Sequence, residues 1–315
     1  MKTKLYLIAL SCFLISITYA QEDNFRTQRF NFSKVEKLKI DNSFGDVSVQ
    51  TYGGQMIDIL VKITITTKNQ KDPEKNFDNI KIRTTETKEL ITVVTENKMN
   101  GNNSVKSFRI DYTVKLPAGV ALEIENRFGD VTVSNTSGKI NLDVQHGDCF
   151  VTQATAKGNQ AKVQFGDLKI DYADGNIINV QHGDLRVTDL KNSKINVQFG
   201  DSKIEKITGT GDFDIQHGDL RIDNLQNGLT NLQIVSQFSD VKLGNILGSS
   251  YIIDLEGSFT DFSWDGVLKT SRDDIRIISQ KKDIANTNMK LLAGSEKTPQ
   301  NKITVKASHG SVEFE

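Results

Sequence analysis

Cysteine is almost absent from this chain. Two occur in 315 residues, Cys12 and Cys149. Cys12 falls in an apolar leader, so a mature protein starting near Gln21 keeps a single thiol and no intrachain disulfide can form. Proline is nearly as scarce: Pro73, Pro117 and Pro299 are the only three. None lies within residues 126–264, as expected where stacked strands use every backbone donor. Net charge is lacking too. The 39 basic groups face 40 acidic ones, and loss of Lys2 and Lys4 with the leader tips the balance slightly further toward acid. That gives no electrostatic basis for nucleic acid or an anionic membrane surface as partner. No apolar run beyond the leader is long enough to span a bilayer.

The leader itself reads as a signal peptide over residues 1–20. Lys2 and Lys4 precede an apolar run from Leu5 to Ile17, and Thr18-Tyr19-Ala20 closes it with small residues at the cleavage positions. Lipid attachment at Cys12 is not expected, because Ala9-Leu10-Ser11 is a poor lipobox and the apolar run continues past it. The sequence therefore predicts an exported protein, in the periplasm, on the outer surface or secreted.

What is present is a four-residue unit that returns every 17 to 21 residues: a polar residue, Phe or His, Gly, Asp. It runs through Phe128-Gly129-Asp130, His146-Gly147-Asp148, Phe165-Gly166-Asp167, His182-Gly183-Asp184, Phe199-Gly200-Asp201 and His217-Gly218-Asp219. It then decays into Phe238-Ser239-Asp240 and Phe259-Thr260-Asp261. Strands of period two flank each unit: Ile195, Val197 and Phe199 share one phase, and Phe213, Ile215 and His217 share it in the next coil. Gly is expected to supply the corner's unusual backbone angles and Asp to bond its own turn. A second turn closes each coil, as at Asp174-Gly175 and Asn227-Gly228. The fold class is all-β, a β-solenoid of two strands and two turns per coil.

The expected organisation is a β-rich flank or cap with the first coil over residues 21–125, regular coils over 126–264, and an irregular segment with a closing coil over 265–315. The cap reads as a β-meander built from Val61 to Thr67, Ile80 to Thr84, Leu90 to Thr95 and Phe108 to Leu116, with a loop at Asn100-Gly101-Asn102-Asn103. It also holds one isolated corner, Phe44-Gly45-Asp46. Ile303 to Val305 and His309-Gly310-Ser311 read as the closing coil.

Stacking at about 4.8 Å turns each repeat position into a ladder. All four histidines occupy the aromatic corner position, His146, His182, His217 and His309, and the alternation places the aromatic row inward. Histidines two coils apart sit about 9.6 Å from one another, too far to share a zinc. The reading is a structural stack without a metal. The aspartates repel by about 0.9 kcal/mol per neighbouring pair in water, which calcium would offset. The outward row Lys169, Arg186, Lys203, Arg221 and Lys242 offsets it as well, so no cofactor is required. Paired carboxylates about 5–5.5 Å apart suit a retaining glycosidase, but stacking puts every neighbouring pair near that spacing and distinguishes none. No catalytic residue is assigned. Gln145, Gln164, Gln181, Gln198, Gln216 and Gln237 face outward, as stacked amides or as a polar face for a glycan. Trp264 falls inward; Phe150 falls outward, where it suits a sugar platform.

The corners Ser43-Phe44-Gly45-Asp46-Val47 and Asn126-Arg127-Phe128-Gly129-Asp130-Val131-Thr132-Val133, with Leu116-Pro117-Ala118-Gly119, resemble the bacterial "putative adhesin" family. These are envelope proteins of unknown function, similar to adhesin-like solenoids of Bacteroidetes. Ala307-Ser308-His309-Gly310-Ser311-Val312 fits the family's closing coil, with Ser311 where Asp would stand. The resemblance spans roughly residues 30–315, implies a β-solenoid, and supplies no site residues. The functional expectation is a non-enzymatic adhesin or scaffold whose partner is a glycan or a surface protein. The alternatives are a polysaccharide-active enzyme and a self-assembling envelope filament.

Overall fold

The computed structural model describes residues 24–67, 73–99, 105–246, 249–263 and 276–315. The leader with Cys12, the Asn100–Asn103 loop and Trp264 lie outside the described residues. The rest is almost wholly strand, with one short helix, Pro73–Phe77.

Two faces of parallel strands meet at the Gly-Asp corner. On the first face Ala121–Asn126, Ile140–Gln145, Gln160–Gln164 and Ile177–Gln181 pair in register, followed by residues 194–198, 212–216 and 233–237. On the second face Val131–Ser134, Cys149–Ala154 and Leu168–Asp174 begin the matching stack. It continues through residues 185–191, 202–207 and 220–225 to Val241–Ile246. The period-two residues form the core as expected. Ile195, Val197, Phe213, Ile215, Leu232 and Ile234 are buried, and each such side chain contributes about 1.5–3 kcal/mol.

The second face is not one straight strand. Ile170, Val187, Ile204 and Ile222 are followed in the core by Ala173, Leu190, Ile207 and Leu225, three residues on rather than two. The pairing skips the residue after each of the first four. A bend there turns the chain, so each coil has three short sides and a phase change that strict alternation does not anticipate.

At the N-terminal end both faces are extended rather than covered. Lys37–Asn42 and Val47–Tyr52 form the first coil against Ala121–Asn126 and Val131–Ser134. On its far side Leu90–Asn97 and Val105–Pro117 add one more parallel strand to each face. Only beyond these does pairing turn antiparallel, through Ile80–Glu86 on one face and Met56–Thr67 and Asn24–Ser33 on the other.

The C-terminal end departs from sequence order. Asn301–Phe314 does not follow the coil of Tyr251–Ser263. It lies between that coil and the preceding one, parallel to residues 231–237 and 241–243 on one side and to 251–263 on the other. Residues 276–293, within the segment read as irregular, form an antiparallel hairpin that continues the first face from Tyr251–Ser258. Every residue of its outer strand, Arg276–Lys282, is exposed, so it carries no inside–outside pattern for the sequence to reveal.

Cys149 sits fully in the core, and burial pushes its thiol up to about 12. The thiolate is the reactive form, so iodoacetamide at neutral pH is expected to leave the folded protein unlabelled. Labelling should track urea unfolding; rapid modification in native buffer would contradict this burial.

Candidate functional site

The corner unit is built from backbone outward. From His146 to Phe238 the ring residue donates its N–H to a carbonyl of the next rung, as in His182 to Gln198 and Phe199 to Gln216, both at 2.9 Å. Nine of the ten ring residues, Phe128 excepted, adopt left-handed backbone, with φ between 50° and 76°. That conformation costs a non-glycine residue about 1–2 kcal/mol. The corner glycines of the regular coils serve a different purpose from the one expected. A Cβ on Gly147, Gly166, Gly183, Gly200 or Gly218 would lie 1.9–2.1 Å from the carbonyl oxygen of the preceding coil's glycine. They are glycine because the coils touch there. Only in the first two corners does glycine take the positive φ, at Gly45 and Gly129. There the buried Asn42 and Asn126 amides hold the Gly45 and Gly129 carbonyls.

The left-handed turn reverses the expected side of the aromatic row. It swings the rings out of the inward phase, and Phe165, Phe199, Phe238 and Phe259 are half-exposed or more. The stack itself forms, on the outer corner. Phe44, Phe128, His146, Phe165, His182, Phe199, His217, Phe238, His309 and Phe259 follow one another at 4.8–5.2 Å between ring centroids. Interplanar angles are 0–11° up to Phe238 and 20–25° around His309. Each pair contributes about 0.5–1.5 kcal/mol beyond area burial, which offsets the backbone strain. His309 supplies the ring between Phe238 and Phe259, so the inserted strand keeps Phe and His alternating. The ends differ: Phe44 is met edge-on by Phe108 at 4.9 Å, whereas Phe259 has a ring neighbour on one side only among the described residues.

The aspartates bond the coil that follows, not their own turn. Oδ1 of Asp46, Asp130, Asp148, Asp167, Asp184, Asp201 and Asp219 accepts the backbone N–H of the next corner aspartate at 2.8–3.0 Å. Asp240 accepts from both the N–H and the hydroxyl of Ser311, each at 2.8 Å. A hydrogen bond to a charged group contributes about 1.5–3 kcal/mol, more than the repulsion between neighbouring carboxylates. Among the described residues no cluster of three or more His, Cys, Asp or Glu side chains has the geometry to hold a metal. The basic row stands beside the acidic one. Arg186 reaches Asp184 at 3.4 Å, and Arg221 reaches Asp223 and Glu315 at 2.6 and 2.8 Å. Lys169 lies over the Phe150 ring at 5.3 Å, so the expected sugar platform is already occupied on one face.

The amide row links only in its middle, Gln164 to Gln181 at 2.6 Å and Gln181 to Gln198 at 3.1 Å. Gln216 turns instead to Asp214. Beyond Gln237 the row continues, through the inserted strand, as Ser308, Ser258 and Asn286. Two serines between two amides leave a notch of about 460 Å³. Glu256 and Lys306, paired at 2.8 Å, form one wall. Nothing in the local sequence announced this notch, because its members come from five strands.

The fold and its corners define a parallel β-solenoid whose surface is organised in axial ladders. The Toastrack DUF4097 family matches residues 35–315, and the chain belongs to that family, in keeping with the resemblance carried by the corner motifs. No curated protein matches the chain. Among solved structures, a "putative adhesin" from Bacteroides fragilis NCTC 9343 is 11% identical, with a TM-score of 0.39, covering 94% of this chain and 99% of its own. Another from Parabacteroides merdae ATCC 43184 is 12% identical, with a TM-score of 0.38, covering 92% and 96%. A "putative lipid binding protein" from Parabacteroides distasonis ATCC 8503 is 12% identical, with a TM-score of 0.33, covering 93% and 97%.

Proposed function

We propose that this chain is an exported, non-enzymatic binding protein of the bacterial envelope, adhesin-like in its action. It holds a repetitive partner, a glycan or a surface protein, through side chains repeated along the solenoid axis. The observation that carries this reading is the register of the outer ladders: rings, carboxylates and cations recur at one spacing on a backbone locked coil to coil. Such an array meets a repetitive partner at many weak points, and the total exceeds any one contact. The half-exposed aromatic row adds a continuous apolar edge of the kind found at interaction surfaces. The corner carboxylates speak for binding rather than catalysis, since seven share one hydrogen-bonding arrangement and catalysis requires one pair set apart.

The test is a sedimentation assay of the mature protein with isolated cell-wall polysaccharide and with mucin-type glycans. Gln164, Lys169, Gln181, Arg186, Gln198 and Lys203 are changed to Ser one coil at a time. A stepwise fall in the bound fraction, about two- to fivefold per coil, is the expected result. Binding untouched by all six changes would overturn the reading, and no binding to any of these polymers would remove the glycan as the partner.

A further inference from the structure

We propose that the notch at the C-terminal end of the amide row is a discrete site for a single unit of a neutral oligosaccharide. It lies where the amide row ends and does not depend on the ladders' binding a polymer.

The notch exists because the inserted strand brings Ser308 beside Gln237, and the next coil brings Ser258 beside Ser308. Where earlier coils fill this position with glutamine, two hydroxymethyl groups leave the space open. Its volume, about 460 Å³, lies within the range of small-ligand sites. The lining is chemically mixed. Gln237 and Asn286 place amides at either end of the floor, the Asn286 Nδ2 already donating to Asp283 at 3.3 Å, and Ser258 and Ser308 place hydroxyls between them. Each amide or hydroxyl can both donate and accept, which matches a ligand whose own hydroxyls do the same.

Charge argues for a neutral ligand. Lys281 and Lys306 are balanced by Glu256 and Asp283, and Lys306 is already paired with Glu256. A carboxylate or phosphate would meet a carboxylate wherever it approached a lysine. An aromatic ring follows the floor in the chain. Phe259 directly follows Ser258, donates its N–H to the Ala285 carbonyl at 2.7 Å, and is 61% exposed as the last ring of the stack. The face of a phenyl ring is electron-rich and attracts polarised C–H groups, and a pyranose carries such groups on one side with hydroxyls around its edge. A polar floor, with an exposed ring one residue further along the chain, suits the two parts of one sugar.

The experiment measures binding of the full mature chain to cello-, chito- and manno-oligosaccharides of defined length by calorimetry and by chemical-shift perturbation. The decisive variant is Ser258→Gln with Ser308→Gln. It fills the notch with the side chain six coils already carry at this position, so folding is expected to survive and is checked by urea midpoint. One of the three series should bind the native chain saturably. The filled variant should weaken it at least about tenfold, equivalent to about 1.4 kcal/mol, and Phe259→Leu should weaken it measurably. Failure of all three series to bind, or equal binding by the filled variant, overturns the site. Polymer sedimentation by the same filled variant separates the two proposals: retained sedimentation leaves the ladders as the polymer surface even where the notch fails.

Discussion

A chain ending at Gln300 will lose ordered structure over residues 249–263 and 276–293 while the coils before residue 200 keep theirs. The strand Asn301–Phe314 is not an appendage. It is a middle rung, with the coil of Leu232 and Val241 on one side and the coil of Tyr251 and Phe262 on the other. Its inward side chains Ile303, Val305, Val312 and Phe314 are at most 1% exposed. At about 1.5–3 kcal/mol each, their removal costs roughly 6–12 kcal/mol of burial. Among the described pairings, residues 251–263 and their hairpin join the solenoid only through this strand. Repeat stacks hold by nearest-neighbour contacts, so the loss should stay local. Hydrogen exchange should show protection gone from 251–263 and 276–293, reduced in 231–246, and unchanged in 140–198. The newly opened edge should also promote association. Protection retained through 251–263 would mean the Phe259 coil has closed directly onto the Phe238 coil, and the inserted order would not be what stabilises this end.

That inserted order was partly visible in the sequence. Phe and His alternate from Phe128 to Phe238, and Phe259 then breaks the alternation where a histidine is due. The missing one is His309, but it lies 71 residues beyond Phe238, and coils are read by default as stacking in chain order. The solenoid itself was legible because period-two burial, glycine corners and a repeat near 18 residues all point to one answer. The side on which the rings lie was not. It depends on a left-handed φ at Phe and His, a conformation bulky side chains rarely take, and no residue-type signal marks it. The bend after Ile170, Val187, Ile204 and Ile222 was legible in retrospect, as an apolar row at Ala173, Leu190, Ile207 and Leu225. The notch was not, because five strands from distant parts of the chain must first be placed side by side.

The largest effect from a single methyl group is expected at Gly200→Ala. Its backbone φ is not in the left-handed region, so alanine is conformationally acceptable there and the strain is purely of contact. The new Cβ would stand 1.9 Å from the Gly183 carbonyl oxygen and 2.6 Å from its carbon. Those atoms are backbone, flanked by bonds between the two coils: His182 donates to the Gln198 carbonyl and Leu185 to the Asp201 carbonyl at 2.8–2.9 Å. The Asp201 N–H is bound to Asp184 at 3.0 Å. Relief requires the two coils to part, which stretches these bonds and separates Phe199 from His182. Overpacking of this kind costs about 3 kcal/mol, and the loss of one stacked ring pair adds about 1 kcal/mol. The urea midpoint should fall accordingly, with exchange protection dropping first in residues 177–216. Gly53→Ala is the control: it has open space around the added carbon and no positive φ, and should change the midpoint negligibly. Equal stability of Gly200→Ala and the parent chain would show that the coils have room to part at no cost, and that the glycine ladder is not a close-packing requirement.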